Sequence, residues 1–107
     1  MQDLRKGSTA LLVLHALDEE PMYGFQLVEA LRERTGGVLD FAEGMLYPML
    51  HKLERAGLLT AEWRPSLDGP PRKYYSLTPA GRAELGQRRD DWVRFTAAVD
   101  LALGTRR

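Results

Sequence analysis

Cysteine is absent from the sequence, which excludes disulfide frameworks, thiolate nucleophiles and Cys-ligated zinc and leaves packing to stabilise the fold. Long apolar runs are absent too. The longest, Ala10 to Leu14, is far below the roughly twenty residues that cross a bilayer. The start, Met1-Gln2-Asp3-Leu4-Arg5-Lys6, has no apolar stretch of the kind a signal peptide carries. Together these predict a soluble, cytosolic protein. No sign of charge dominates either: fifteen Lys and Arg balance fifteen Asp and Glu, so the formal net charge is zero and gives no simple argument for a polyanion partner. With only two histidines and no Gly-rich phosphate loop, Gly-x-Ser-x-Gly, His-x-x-x-His or His-Glu-x-x-His, the chain offers no support for catalysis. No enzyme, cofactor or metal site is expected.

What is present is a chain of 107 residues, 44% of them apolar, with room for one domain and one core. Its neutrality is an average over two unlike halves. Residues 1–50 hold four basic and eight acidic side chains and residues 51–107 hold eleven and seven, giving balances of −4 and +4.

Leu4, Leu11, Leu14 and Leu17 recur at helical spacing, widened by Leu12 and Val13, and predict a first helix over 4–17. Asp18-Glu19-Glu20-Pro21 stops it. A second helix over about 24–34 presents Leu27, Val28 and Leu31 and ends at Gly36-Gly37, which supply left-handed conformations; a third runs over about 43–56 and ends at Gly57. The periodicity then changes. Segments 58–64 and 72–77, carrying Thr60, Trp63, Tyr74 and Tyr75, read as short strands. The intervening Pro65-Ser66-Leu67-Asp68-Gly69-Pro70-Pro71 reads as an unpaired, extended hairpin tip. Thr78 as N-cap and Pro79 at the first helical position open a last helix that reaches Leu103 before Gly104. This order predicts an α+β, mainly α fold: a winged helix-turn-helix with a two-stranded wing and a long C-terminal helix packed on the first. The organisation is a winged-helix core over 1–78 and a C-terminal dimerisation helix over 79–107, in one compact unit.

On the third helix Leu46, Leu50 and Leu53 form a core stripe, and Met45, Pro48, Lys52 and Arg55 lie on another side, flanked by Tyr47 and His51. That second face suits a DNA groove, with a solvated surface as the alternative. In the hairpin, alternation directs Arg72 and Tyr74 outward and Tyr75 and Leu77 to the core, with the long stem of Lys73 free to snorkel. Arg72, Lys73 and Tyr74 are thus candidates for reaching phosphates; a charged edge strand that blocks aggregation is the alternative. Trp92, Phe95, Val99 and Leu103 outline an apolar stripe too long for so small a domain to bury, which predicts pairing with the first helix of a second copy, through Leu11 and Leu14. A small-molecule pocket at Trp92 is the sharper alternative. His15 is expected to be a satisfied core or interface residue.

Glu43-Gly44-Met45-Leu46-Tyr47-Pro48-Met49-Leu50, followed by Leu53-Glu54 and Gly57-Leu58, resembles the third-helix signature of the PadR family of bacterial transcriptional regulators. Glu20-Pro21-Met22-Tyr23-Gly24-Phe25 resembles the family's approach to its second helix. Gly69-Pro70-Pro71-Arg72-Lys73-Tyr74-Tyr75-Ser76-Leu77-Thr78-Pro79-Ala80-Gly81 resembles its wing and the start of its last helix. The resemblance, from about Leu4 to Leu103, implies a homodimeric regulator, usually a repressor, that binds a partly palindromic operator and is released by a small molecule or other signal. The length implies the short subgroup, in which the last helix dimerises with the first. Trp92 matches a tryptophan that, in multidrug-responsive short members, sandwiches planar aromatic compounds. Two departures stand out. Ala42-Glu43 replaces the family's usual hydroxyl cap, leaving Asp40 as the expected cap, and Met45 replaces a groove-facing Thr, so it can touch a thymine methyl but cannot hydrogen-bond base edges. Pro48 agrees with the family, and Gly44 four residues earlier relieves the crowding a helical proline creates. A winged-helix protein-interaction module without DNA binding is the competing reading.

Overall fold

Helix α1 covers Gln2–Glu19. The computed structural model describes residues 2–105, with side chains from Ser8 onward. Val13, Leu14, Ala16 and Leu17 are buried, and Leu11 and Leu12 pack partly against them. Leu4, expected to begin this stripe, has its side chain outside the described residues.

Helix α2 (Gly24–Arg34) starts where the Tyr23 N–H donates to Gln26 Oε1 at 3.2 Å, which satisfies a backbone donor at the helix start. It ends at Gly36 and Gly37, whose φ angles of 63° and 82° bear out the predicted left-handed turn. Helix α3 (Glu43–Arg55) buries Leu46, Leu50 and Leu53. Asp40 does not cap it. Ala42 holds the N-cap position without a side-chain bond, and Glu43 in the first turn sets a carboxylate at the positive end of the helix instead.

The wing is longer than the sequence pattern predicts. Strand β1 covers Leu59–Ser66 and β2 covers Gly69–Leu77, paired antiparallel from Leu59↔Leu77 to Arg64↔Arg72 and again at Ser66↔Gly69. Between these two stretches the register shifts by one residue, so Pro65 faces Pro70 and Pro71 across a bulge. Prolines have no N–H for a ladder, and a bulge near the tip of a two-stranded hairpin accommodates them without ending the strands. Only Leu67 and Asp68 remain as the turn, braced by the Ser66 hydroxyl donating to Asp68 Oδ1 at 2.8 Å. A further strand of one residue joins the other edge of β2: Met22 N–H donates to the Tyr75 carbonyl at 3.1 Å, and Tyr75 N–H to the Met22 carbonyl at 2.9 Å. A single residue has no periodicity, so no sequence pattern announces it.

Helix α4 (Pro79–Leu103) is capped as expected: Thr78 Oγ1 accepts from Gly81 N–H at 3.0 Å and donates to the Gly57 carbonyl at 2.7 Å. The helix closes at Gly104, with φ 74°. Gly81 lies under the Leu58 carbonyl and the Leu77 side chain, where a Cβ would collide with both. Arg82 Nε donates to Asp18 Oδ1 at 2.9 Å and ties α4 to the end of α1. Of the two places expected for His15, core or interface, the core is set aside: its side chain is exposed and meets Arg89 at 3.0 Å across the α1–α4 seam.

The radius of gyration is 15.2 Å, against about 13 Å for a compact chain of this length. The molecule is elongated, 53 × 29 × 21 Å, and beyond Leu85 no residue of α4 is buried. Among the described residues no helix is long and apolar enough to cross a membrane.

Candidate nucleic-acid interface

The outward face of α3 carries Met45, Pro48, His51, Lys52 and Arg55, all exposed, because the leucine stripe anchors the opposite side. Met45 is 58% exposed. Pro48 withdraws one N–H from the helix, so the Gly44 carbonyl is left without its usual helical donor on a turn that nothing crowds. Lys52 and Arg55 have no carboxylate partner among the described residues. Tyr47 points differently. Its ring packs against Gly24, where a Cβ would lie 2.8 Å from the hydroxyl oxygen, and that hydroxyl donates to Glu43 Oε2 at 2.8 Å. The Glu43 bond, with burial and the nearby carboxylate charge, pushes the Tyr47 pKa up to about 12.

The wing presents two faces. On one, Tyr75 is buried and Lys73 does not snorkel into solvent: its Nζ donates to Glu54 Oε1 of α3 at 3.2 Å and lies 5.2 Å from the Tyr75 ring centre. Burial works to lower the Lys73 pKa, but the Glu54 bond and the neighbouring Tyr75 outweigh it and hold the ammonium above its usual range. On the other face Arg72 and Tyr74 are half-buried in a row of stacked groups. The Arg72 guanidinium lies 4.6 Å over the Tyr23 ring, Tyr23 meets Tyr74 edge-on at 5.3 Å, and Arg64 covers Tyr74 at 4.4 Å. Cation–π contact of this kind orients guanidinium groups while leaving their N–H donors available.

Each wing cation also has a carboxylate: Arg64 Nε to Glu62 at 3.0 Å, Arg72 to Asp68 at 3.4 Å and Lys73 to Glu54 at 3.2 Å. Asp68 is held below its ordinary pKa by the Ser66 hydroxyl bond, by its own backbone and by Arg72. The two cationic surfaces therefore differ in kind, with α3 cations open and wing cations already paired. Sequence reasoning missed Tyr23, Arg64 and Trp63. The signal for the first was its place beside Met22, visible only once the Met22–Tyr75 pairing is known. The signal for Arg64 and Trp63 was the register that sets them opposite Arg72 and Lys73.

On α4, Phe95 is 54% exposed and Val93, Val99, Leu101 and Leu103 are exposed with it; within the helix only Gly81 and Leu85 are buried. Trp92 is half-buried and lies 6.0 Å from Phe95 between ring centres, and the two line a cleft of about 340 Å³ with Leu11, Arg88 and Asp91. Leu14 is a correction. It is wholly buried in the core of its own chain, so it cannot reach a partner surface. The expected interface pattern counted it because Leu11 and Leu14 are one helical turn apart, yet the two lie at different depths.

A helix-turn-helix with an exposed, cationic third helix, a hairpin wing beside it and a helix packed back on the first defines a winged-helix DNA-binding regulator of transcription. The chain belongs to the PadR family, described as the Transcriptional regulator PadR-like family, which matches residues 13–87. It is 37% identical over 89 residues to the Transcriptional regulator Rv3488 of Mycobacterium tuberculosis, covering 83% of this chain and 79% of that protein. A PadR family transcriptional regulator from Eggerthella lenta superposes with a TM-score of 0.85 at 34% identity, over 98% of this chain and 89% of that one. The structure of Bacillus subtilis PadR in complex with operator DNA is similar with a TM-score of 0.67 at 25% identity, over 79% of this chain and 45% of that one.

Proposed function

We propose that the protein is a cytoplasmic repressor that binds a partly palindromic operator as a homodimer and acts without a cofactor or enzymatic activity. The observation that carries the reading is the outward face of α3, where Met45, Pro48, His51, Lys52 and Arg55 are exposed and both cations are free of carboxylates among the described residues. The B. subtilis relative bound to operator DNA supports the same partner. Residues 1–78 form the DNA-reading core, and 79–107 the dimerisation helix, with Leu11, Trp92, Phe95, Val99 and Leu103 toward the second copy. A planar aromatic effector fits the cleft at Trp92, where an indole, a phenyl ring and a carboxylate converge.

In this arrangement two α3 helices enter successive major grooves and place Met45 and Pro48 near base edges, while Tyr47, turned toward Gly24, faces the wing side. His51, Lys52 and Arg55 approach the flanking backbone, and the wings deliver Arg72, Lys73 and Tyr74 to phosphates. A gel shift on the protein's own upstream DNA at two salt concentrations tests it. Replacing Arg72 or Lys73 by Ala should weaken binding to every sequence and reduce the salt slope by about one per lost phosphate contact. Absence of any shift at low salt would favour a protein-interaction module instead. Footprinting with and without planar aromatic compounds tests the effector.

A further inference from the structure

Between the wing and α3 runs a cleft of about 360 Å³ that the α3 face and the wing cations do not by themselves explain. Tyr47 and His51 form one wall, Trp63, Arg72 and Lys73 the other, and Tyr23 closes an end. No carboxylate among the described residues lines it. Trp63 is its most exposed large side chain, 67% accessible, and pairs across the hairpin with Lys73. An indole held this bare beside two cations, a histidine and three tyrosines is matched to a ligand that alternates anionic and apolar parts.

A DNA strand does so, since its phosphates are separated by sugars with apolar faces. When α3 occupies a major groove and the wing reaches toward the adjacent minor groove, the strand dividing those grooves passes between them. We propose that this cleft seats one sugar–phosphate segment of that strand, with Trp63 packed on the sugar face and Lys73 exchanging Glu54 for a phosphate. The inference rests on the DNA-binding reading and assigns Trp63 a direct contact within it. The seat reads backbone and not bases, so it operates on any duplex.

The probe is therefore a random-sequence duplex of about 20 base pairs, two helical turns, at about 50 mM salt, where non-specific binding is strong. The two tryptophans give two indole N–H signals in a nitrogen–proton correlation spectrum, assigned with Trp63→Phe. Adding the duplex should shift the Trp63 signal and leave that of Trp92 in place. Trp63→Ala should lose about three- to ten-fold in affinity, with Trp63→Phe between it and the wild type, the size of one aromatic contact. Its salt slope should stay at the wild-type value, because an indole neutralises no phosphate. A duplex that binds without moving the Trp63 signal overturns the contact, even if Trp63→Ala binds less well by disturbing the wing. Trp63→Ala within two-fold of wild type overturns it as well, while DNA binding stands. No binding of the duplex by the wild type removes the functional reading and this seat together.

Discussion

Tyr47 shows how a side chain at a DNA-facing position can be committed to its own fold. Its hydroxyl serves Glu43 and its ring closes over Gly24, so a helix without a hydroxyl cap gains an internal strut between its first and second turns. The bond to Glu43 raises the phenol from 10.0 to about 12, and a raised pKa favours the protonated, folded form. Its contribution to stability is complete below pH 10 and is lost as pH rises toward 12. Ultraviolet titration of phenolate should show a late step near pH 12 that Tyr47→Phe removes; a titration in which Tyr47→Phe removes no late step would contradict the strut. The spacing in the sequence placed Tyr47 beside the groove-facing set but could not show that Glu43, one turn away, would claim its hydroxyl.

At the scale of elements, the helix boundaries were readable because each end is made by local chemistry: Gly36 and Gly37, Gly57, Thr78-Pro79 and Gly104. The wing was read less well. Three prolines near the tip argue against a strand, and only a bulge, at a tip away from the Met22 pairing, makes the longer pairing possible. Gly81 illustrates an interaction between elements that local rules do not contain. It permits the first turn of α4 to pass beneath the Leu58 carbonyl and Leu77, joining the end of the helix-turn-helix to the last helix. Gly81→Ala should destabilise by about 2–3 kcal/mol, as overpacking against backbone that cannot retreat. Urea unfolding at fixed protein concentration would measure it, and an unchanged midpoint would mean that α4 can tilt away freely. On helical propensity alone the same substitution would stabilise, so the sign of the change decides between the two effects.

For the whole molecule, α4 is about 37 Å long and buries only Gly81 and Leu85 against its own chain. We propose that a second copy covers the rest of this face. Phe95→Glu should weaken the dimer about thirty-fold or more, as expected for a central aromatic anchor, and operator affinity should fall with it. Sedimentation over a range of protein concentrations would read the first effect. A wild type that stays monomeric at every concentration would end the proposal. The neutral total charge also takes its meaning here. Three wing cations are balanced by Glu54, Glu62 and Asp68, while Lys52 and Arg55 have no carboxylate partner among the described residues, so of these two surfaces α3 carries the open positive charge.

The sequence by itself determined the order of elements, the ends of α2, α3 and α4 and the burial of Leu46, Leu50 and Leu53, because these follow from caps, glycines and side-chain periodicity within one segment. It also marked the cationic face of α3 and the apolar stripe from Trp92 to Leu103. Tertiary structure alone decided that Leu14 lies in the core while Leu11 borders the cleft at Trp92, that Lys73 is bound to Glu54, and that Met22 adds a strand beside Tyr75. It likewise brought Trp63 and His51 to one cleft from different elements. Each of these joins residues distant in the chain, and the depth of a side chain or the partner of a charge depends on how elements dock, which no local pattern records.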